Sequence, residues 1–198
     1  KKIQIDEIDN VISQLKKGGT PEEHANVIRE RLNNSLKNGC LNLEYYEISK
    51  EILIQILPLL SELKIKNLNL ANNNIGPEGA IALAYALEIN TSITELNLTK
   101  NNIGPEGAIA LAKTFEQNKS LTKLDLRANN IRHDGVIALA KTFEQNKSIT
   151  DLNLSLNQVG DDGAITLAKT FKQNKSLTKL DLSLNQVGDD GAITLAKT

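Results

Sequence analysis

Few residues in this chain are of types that do chemistry, and none is spaced for catalysis. The two histidines, His24 and His133, stand far apart, with no second ligand at helical or loop spacing. They read as surface residues rather than metal ligands. Cys40 is the single cysteine. It allows no intrachain disulfide and reads as a small core residue, not a nucleophile. The pairs Asp161-Asp162 and Asp189-Asp190 precede helical stretches, where the positive end of a helix dipole accounts for them. A calcium site would need a fuller ligand set. No Gly-rich phosphate loop occurs, so neither metal nor cofactor is implied. What remains is recognition chemistry. Glu95, Lys123, Asp151 and Lys179 follow one another at steps of 28, beside Asn97, Asp125, Asn153 and Asp181, with Arg127 two residues beyond Asp125. Mixed charge in such columns suits docking of a protein surface, although a solvated face with weak ion pairs has the same composition.

The step of 28 belongs to the whole chain. Leu68-x-Leu70-x-x-Asn73-x-Ile75-Gly76 returns as Leu96, Leu98, Asn101, Ile103, Gly104 and then from Leu124, Leu152 and Leu180. A fixed period of this size marks a solenoid of stacked supersecondary units, each burying its apolar face on its neighbours. Within one unit, Leu96-Asn97-Leu98 alternates as a short strand with both leucines inward. Asn97 and its equivalents then face outward, which puts the charged columns on one surface. Asn73, Asn101, Asn129, Asn157 and Asn185 fall where each chain must turn, and stacking makes them an internal ladder of hydrogen-bonded amides.

The second half of the unit reads as a helix. Pro105 suits a first helical turn, and Glu106 favours the dipole there. Ala108, Leu111, Ala112 and Phe115 share one face at i, i+3, i+4 and i+7. Ala110, Lys113, Thr114, Glu116 and Gln117 are expected to face water. Asn118, with Asn90, Asn146 and Asn174, stands where a helix end takes a residue tolerant of positive φ. Ile81, Ile109, Ile137, Ile165 and Ile193 fall at the edge of the apolar face and are expected to be half-buried at most. The spacing therefore predicts an α/β class: a right-handed solenoid with a parallel sheet inside and helices outside, bent into a horseshoe.

The motif L-x-x-L-x-L-x-x-N-x-[IV]-G-x-x-G-A-x-x-L-A is similar to the leucine-rich repeat of the ribonuclease-inhibitor subtype, over residues 36–198. That repeat also occurs in Ran GTPase-activating proteins and NOD-like receptors. The resemblance implies a binding surface, not a particular ligand. GTPase activation is the enzyme-class alternative it brings, and no residue here can be matched to such a role.

The ends depart from the pattern. Leu41-x-Leu43 opens a degenerate first repeat (39–64), with Tyr46 at the ladder position. Its helix, about Lys50 to Glu62, is unusually apolar and holds Pro58, which is expected to kink or shorten it. Regular repeats begin near 65, 93, 121, 149 and 177, the last truncated. Residues 1–38 read as a helical N-terminal cap. Ile5, Ile8, Val11, Ile12 and Leu15 keep helical spacing, and Thr20-Pro21-Glu22-Glu23 reads as a capping box. A separate helical interaction module is the alternative reading. The final repeat has no capping unit after it, which leaves self-association through that end open. Residues 142–170 and 170–198 are nearly identical, a mark of duplication without divergence of exposed positions.

The bulk numbers set limits. Lys+Arg number 23 against Asp+Glu 24, for a net charge of −1, which argues against a nucleic-acid partner. No run of about 20 apolar residues is present to cross a membrane. The start has no apolar signal region, so a cytoplasmic protein partner is expected. An Asn-, Lys- and Ile-rich composition fits an AT-rich genome. It keeps open a secreted effector that acts on a protein in a host cytosol.

Overall fold

Leucines spaced by 28 residues meet across a parallel ladder. The computed structural model describes residues 2–198, with side chains from Gln4 onward. Six three-residue strands lie side by side in chain order: β1 (Cys40–Asn42), β2 (Asn67–Asn69), β3 (Glu95–Asn97), β4 (Lys123–Asp125), β5 (Asp151–Asn153) and β6 (Lys179–Asp181). All pairs are parallel, and Leu41, Leu68, Leu96, Leu124, Leu152 and Leu180 sit opposite one another. Parallel neighbours need a crossover long enough to return the chain. Here each is a helix: α3 (Lys50–Glu62), then α4 (Gly76–Ile89), α5 (Gly104–Gln117), α6 (Arg132–Gln145), α7 (Gly160–Gln173) and α8 (Asp189–Leu195). Before the sheet come α1 (Lys2–Lys17) and α2 (Glu22–Asn38). One continuous core runs from Ile8 to Leu167, between the sheet and the helices. No helix among the described residues is long and apolar enough to cross a membrane.

Each turn from strand to helix is built around the ladder asparagine. The Asn129 amide nitrogen donates to the carbonyls of Leu98 (2.8 Å), Leu126 (3.0 Å) and Arg127 (3.1 Å). Its oxygen accepts from the N–H groups of Asn101 (2.9 Å) and Ile103 (3.3 Å) in the preceding repeat. Asn101 and Asn157 repeat this pattern. The residues on either side pay conformationally. Asn72, Lys100, Ala128, Leu156 and Leu184 before the ladder, and Asn74, Asn102, Asn130, Gln158 and Gln186 after it, all have φ between 53° and 59°.

A second ladder stands at the opposite end of each unit, where helix gives way to strand. Asn90, Asn118, Asn146 and Asn174 are extended, with φ between −66° and −78°, not left-handed as expected. They are buried because they are hydrogen-bonded on both sides. The Asn118 amide donates to the carbonyls of Leu87 (2.8 Å) and Asn90 (3.1 Å), and its oxygen accepts from Ser120 and Leu121 N–H. Thr114, expected in water, is also buried. Its hydroxyl donates to the Ala84 carbonyl of the neighbouring helix at 3.0 Å, and Thr142 does the same to Ala112. A hydroxyl this close to a carbonyl of the next helix is satisfied without solvent.

Two further expectations are corrected. α3 passes through Pro58 to Glu62. Pro58 and Ile54 are both exposed, on the outer side of the helix. The Thr20–Glu23 box does not form: α2 has no side-chain capping hydrogen bond, and Glu22 instead meets Lys16 at 2.8 Å. Ile5 is exposed, while Ile8, Val11, Ile12 and Leu15 are buried. α1 packs on α2 and α3, and α2 on β1. Tyr46, at the ladder position of the first repeat, is held by α2: His24 hydrogen-bonds its carbonyl, and Arg31 reaches its hydroxyl and lies over its ring at 5.0 Å.

Candidate functional site

Alternation along the strands leaves residues 95, 97 and their equivalents on the face away from the helices. There a groove of about 460 Å³ runs across the sheet. Glu95, Asn97, Lys123, Asp125, Asp151, Asn153, Lys179 and Asp181 line it, with Cys40 at one end. Arg127 lies outside the lining, exposed beside it.

The two columns in the groove do different work. In the first, charges alternate and pair across strands. Lys123 Nζ donates to Glu95 at 2.8 Å, and Lys179 Nζ to Asp151 at 3.1 Å. The hydrogen bond and charge of Glu95 hold Lys123 protonated to higher pH than an ordinary lysine. In the second column the side chains serve the chain itself. Asp125 accepts from Arg127 N–H (2.9 Å) and from the Thr99 hydroxyl (3.0 Å) with one oxygen, and from the Asn153 amide (3.2 Å) with the other. Asn97, Asn153 and Asp181 accept from the N–H two residues on, at 2.9 Å each. These are Asx turns, which end each strand. Ser183 N–H and hydroxyl lower the pKa of Asp181, helped by the nearby charges of Arg127 and Lys179. Asp125, Asn97, Asn153 and Asp181, expected as partner contacts, also hold the turns that end their strands. Arg127 makes no ion pair among the described residues.

Sequence reasoning missed Glu44. It accepts from the Asn69 amide (3.1 Å) and the Asn72 amide (3.2 Å), which closes the N-terminal edge of the same face. The missing signal was a shifted register, since β1 lies 27 residues before β2, not 28. Cys40 is exposed, not a core residue. Leu41, the next residue, takes the inward position of that short strand. Leu156 and Leu184 are exposed at the strand exits. Ile109 and Ile193 are exposed, and Ile81, Ile137 and Ile165 half-buried, as their helical angle requires. His133 pairs with Asp134 at 3.3 Å. Asp161 accepts from the N–H groups of Gly188 (2.8 Å) and Gly191 (3.0 Å), so it caps the helix of the following repeat. No group of three metal-ligating side chains occurs among the described residues.

Comparison with known proteins bears on this geometry. The family model described as Leucine Rich repeat matches residues 63–84, 90–112, 117–140, 145–168 and 173–196. No curated protein matches the chain significantly. Among solved structures, it is similar to one described as the leiomodin-1 actin-binding site 2. The TM-score is 0.60 at 24% identity, covering 75% of this chain and 83% of that one. It is also similar to the tropomodulin C-terminal domain of Caenorhabditis elegans, with a TM-score of 0.62 at 18% identity, covering 75% and 89%. At these identities the likeness is one of fold. Five matched repeats across more than half the sequence, on a sheet whose leucines stand in register, place this chain in the leucine-rich repeat family.

Proposed function

We propose that this chain is a non-enzymatic scaffold that docks a partner protein on the exposed sheet face, through the charges around Lys123, Arg127 and Asp151. The observation that carries this reading is the groove of about 460 Å³ with charged walls. Arg127 beside it has no ion pair among the described residues. An exposed guanidinium suits bidentate recognition of carboxylates, and arginine is enriched among the residues that carry binding energy. The 14-residue helices of α4 to α7 support the ribonuclease-inhibitor subtype of the repeat. A cytosolic setting accords with this role.

Affinity capture from cytosolic extract tests the reading. The chain is immobilised beside a Lys123→Glu/Arg127→Glu/Asp151→Lys variant of equal melting temperature. Purified actin, chosen because the similar leiomodin-1 structure is an actin-binding site, is run as a separate arm. A protein retained by the parent and lost by the variant supports the docking face. Equal retention by both, or by neither, overturns it.

A further inference from the structure

One junction between repeats breaks the repeat rule at four positions at once. Tyr85 stands where later helices have Lys113, Lys141 and Lys169, and Ile89 where they have Gln117, Gln145 and Gln173. Lys64 replaces the serine of Ser92, Ser120, Ser148 and Ser176, and Lys66 replaces the threonine of Thr94, Thr122, Thr150 and Thr178. Positive charge has moved off the outer face of the helix and onto the entrance of the strand. Large apolar groups stand where later helices have a lysine and a glutamine.

Three of these departures line one groove, and Tyr85 stands outside its lining. A groove of about 620 Å³ opens between the end of α3 and the end of α4, lined by Lys64, Lys66, Ile89, Thr91, Ser92 and Thr94. Ile89 is 82% exposed and Tyr85, one turn earlier on the same face, 71% exposed. Neither lysine makes an ion pair among the described residues. Glu62 and Glu88, in the last turns of the two helices, do not line the groove. An exposed large apolar side chain beside uncommitted cations offers a partner both an apolar and a charged contact.

We infer that this groove, distinct from the sheet face, docks a short acidic segment of a partner protein that carries large apolar side chains. Its aliphatic or aromatic groups cover Ile89 and Tyr85, and its carboxylates meet Lys64 and Lys66. A basic segment would face two like charges, and a purely apolar one would leave both lysines idle or desolvated.

The neighbouring repeats supply the variants. Tyr85→Lys/Ile89→Gln and Lys64→Ser/Lys66→Thr each install residues that the same fold already carries at those positions. Melting curves of both variants serve as the check that they remain folded. The probe is a fluorescein-labelled peptide of Glu and Leu, with a Lys-for-Glu and an Ala-for-Leu counterpart, read by anisotropy. Expected is saturable binding of the Glu–Leu peptide alone, about tenfold or more weaker in either variant, and weakened by salt. The sheet-face variant Lys123→Glu/Arg127→Glu/Asp151→Lys should bind this peptide as the parent does, which separates the two surfaces. No binding by the parent, or equal binding by both groove variants, overturns the inference. So does concentration-dependent dimerisation abolished by Tyr85→Lys/Ile89→Gln, which would make a second copy the occupant.

Discussion

Asn129 makes five hydrogen bonds from one side chain, three of them across to the preceding repeat. Asn129→Ala leaves buried backbone groups unpaired and should cost about 1–3 kcal/mol. Urea unfolding reads this as a lower midpoint at unchanged slope, and an unchanged midpoint would exclude the ladder as a source of stability. The reverse sign is expected at Arg132. It holds φ 59° where Gly76, Gly104 and Gly160 hold 73°, 68° and 64°. Arg132→Gly should stabilise by about 0.5–1 kcal/mol, the left-handed penalty less the entropy of a new glycine. Titration adds little. The depressed carboxyl of Asp181 contributes stability above the ordinary carboxylate pKa, lost as pH falls through its lower folded value. Lys123 acts the other way: its contribution is complete below the ordinary lysine pKa and lost as pH rises through the raised one. Both groups are solvent-screened, so stability should be nearly flat between about pH 5 and 9. A steep slope in that window would require a group that these two do not describe. At this scale the sequence was half legible. The first ladder could be read because its asparagines follow a strand whose end is visible in Leu-x-Leu. The second could not, because asparagine after a helix is also the usual sign of a left-handed cap. Only the extended backbone at Asn118 distinguishes the two.

Between elements, the helices approach closely enough to exclude a methyl group. A Cβ on Gly107 would lie 2.5 Å from Ile103 Cγ2 and 2.9 Å from the Ala80 methyl of α4. Gly107→Ala should therefore destabilise by about 1–3 kcal/mol through overpacking, although alanine has the better helix propensity. Differential scanning calorimetry would show this as a lower Tm, and a rise in Tm would mean that α4 and α5 can separate at little cost. The Thr114 and Thr142 hydroxyls seal the same helix contacts further along. Period alone placed these threonines in water, because a helical wheel knows one neighbour, the sheet. In a stack each helix has two further neighbours, so its buried arc is wider than the apolar stripe. Strand and helix order, and the register of β2 to β6, were legible from the leucine spacing. The commitment of Asp125 to a turn was not, since an outward carboxylate looks the same whether it is free or bonded to its own backbone.

Over the whole molecule the two ends differ. At one end α1 and α2 lie against α3 and β1, and Ile8, Ile12, Ile28 and Leu32 are fully buried. We propose that they act as a cap, and removal of residues 1–38 should give a chain that aggregates, seen as light scattering on purification. A soluble, monomeric product would mean that these helices are a module in their own right. In the last repeat Leu177, Leu180, Leu182, Val187 and Leu195 are only half-buried. Stability in stacked repeats is a sum of units and nearest-neighbour contacts. Amide hydrogen exchange should therefore be fastest in β6 and α8 and slowest in β3 to β5. Uniform protection would show that the stack unfolds as one block.

The backbone bonds of the ladder run one way: the N–H of Asn101 points to Asn129, that of Asn129 to Asn157, and that of Asn157 to Asn185, while each amide nitrogen donates back to a carbonyl of the preceding repeat. Each unit thus offers the same set of donors and acceptors to its neighbours, as molecules do along the axis of a crystal. Such an array has a lattice constant, about 4.8 Å on the sheet side. A whole unit can be excised or duplicated and the seam will match, whereas a shift by a single residue is a dislocation. The chain is in this sense a ruler, graduated in steps of 28 residues, whose reach can be lengthened without inventing a new contact.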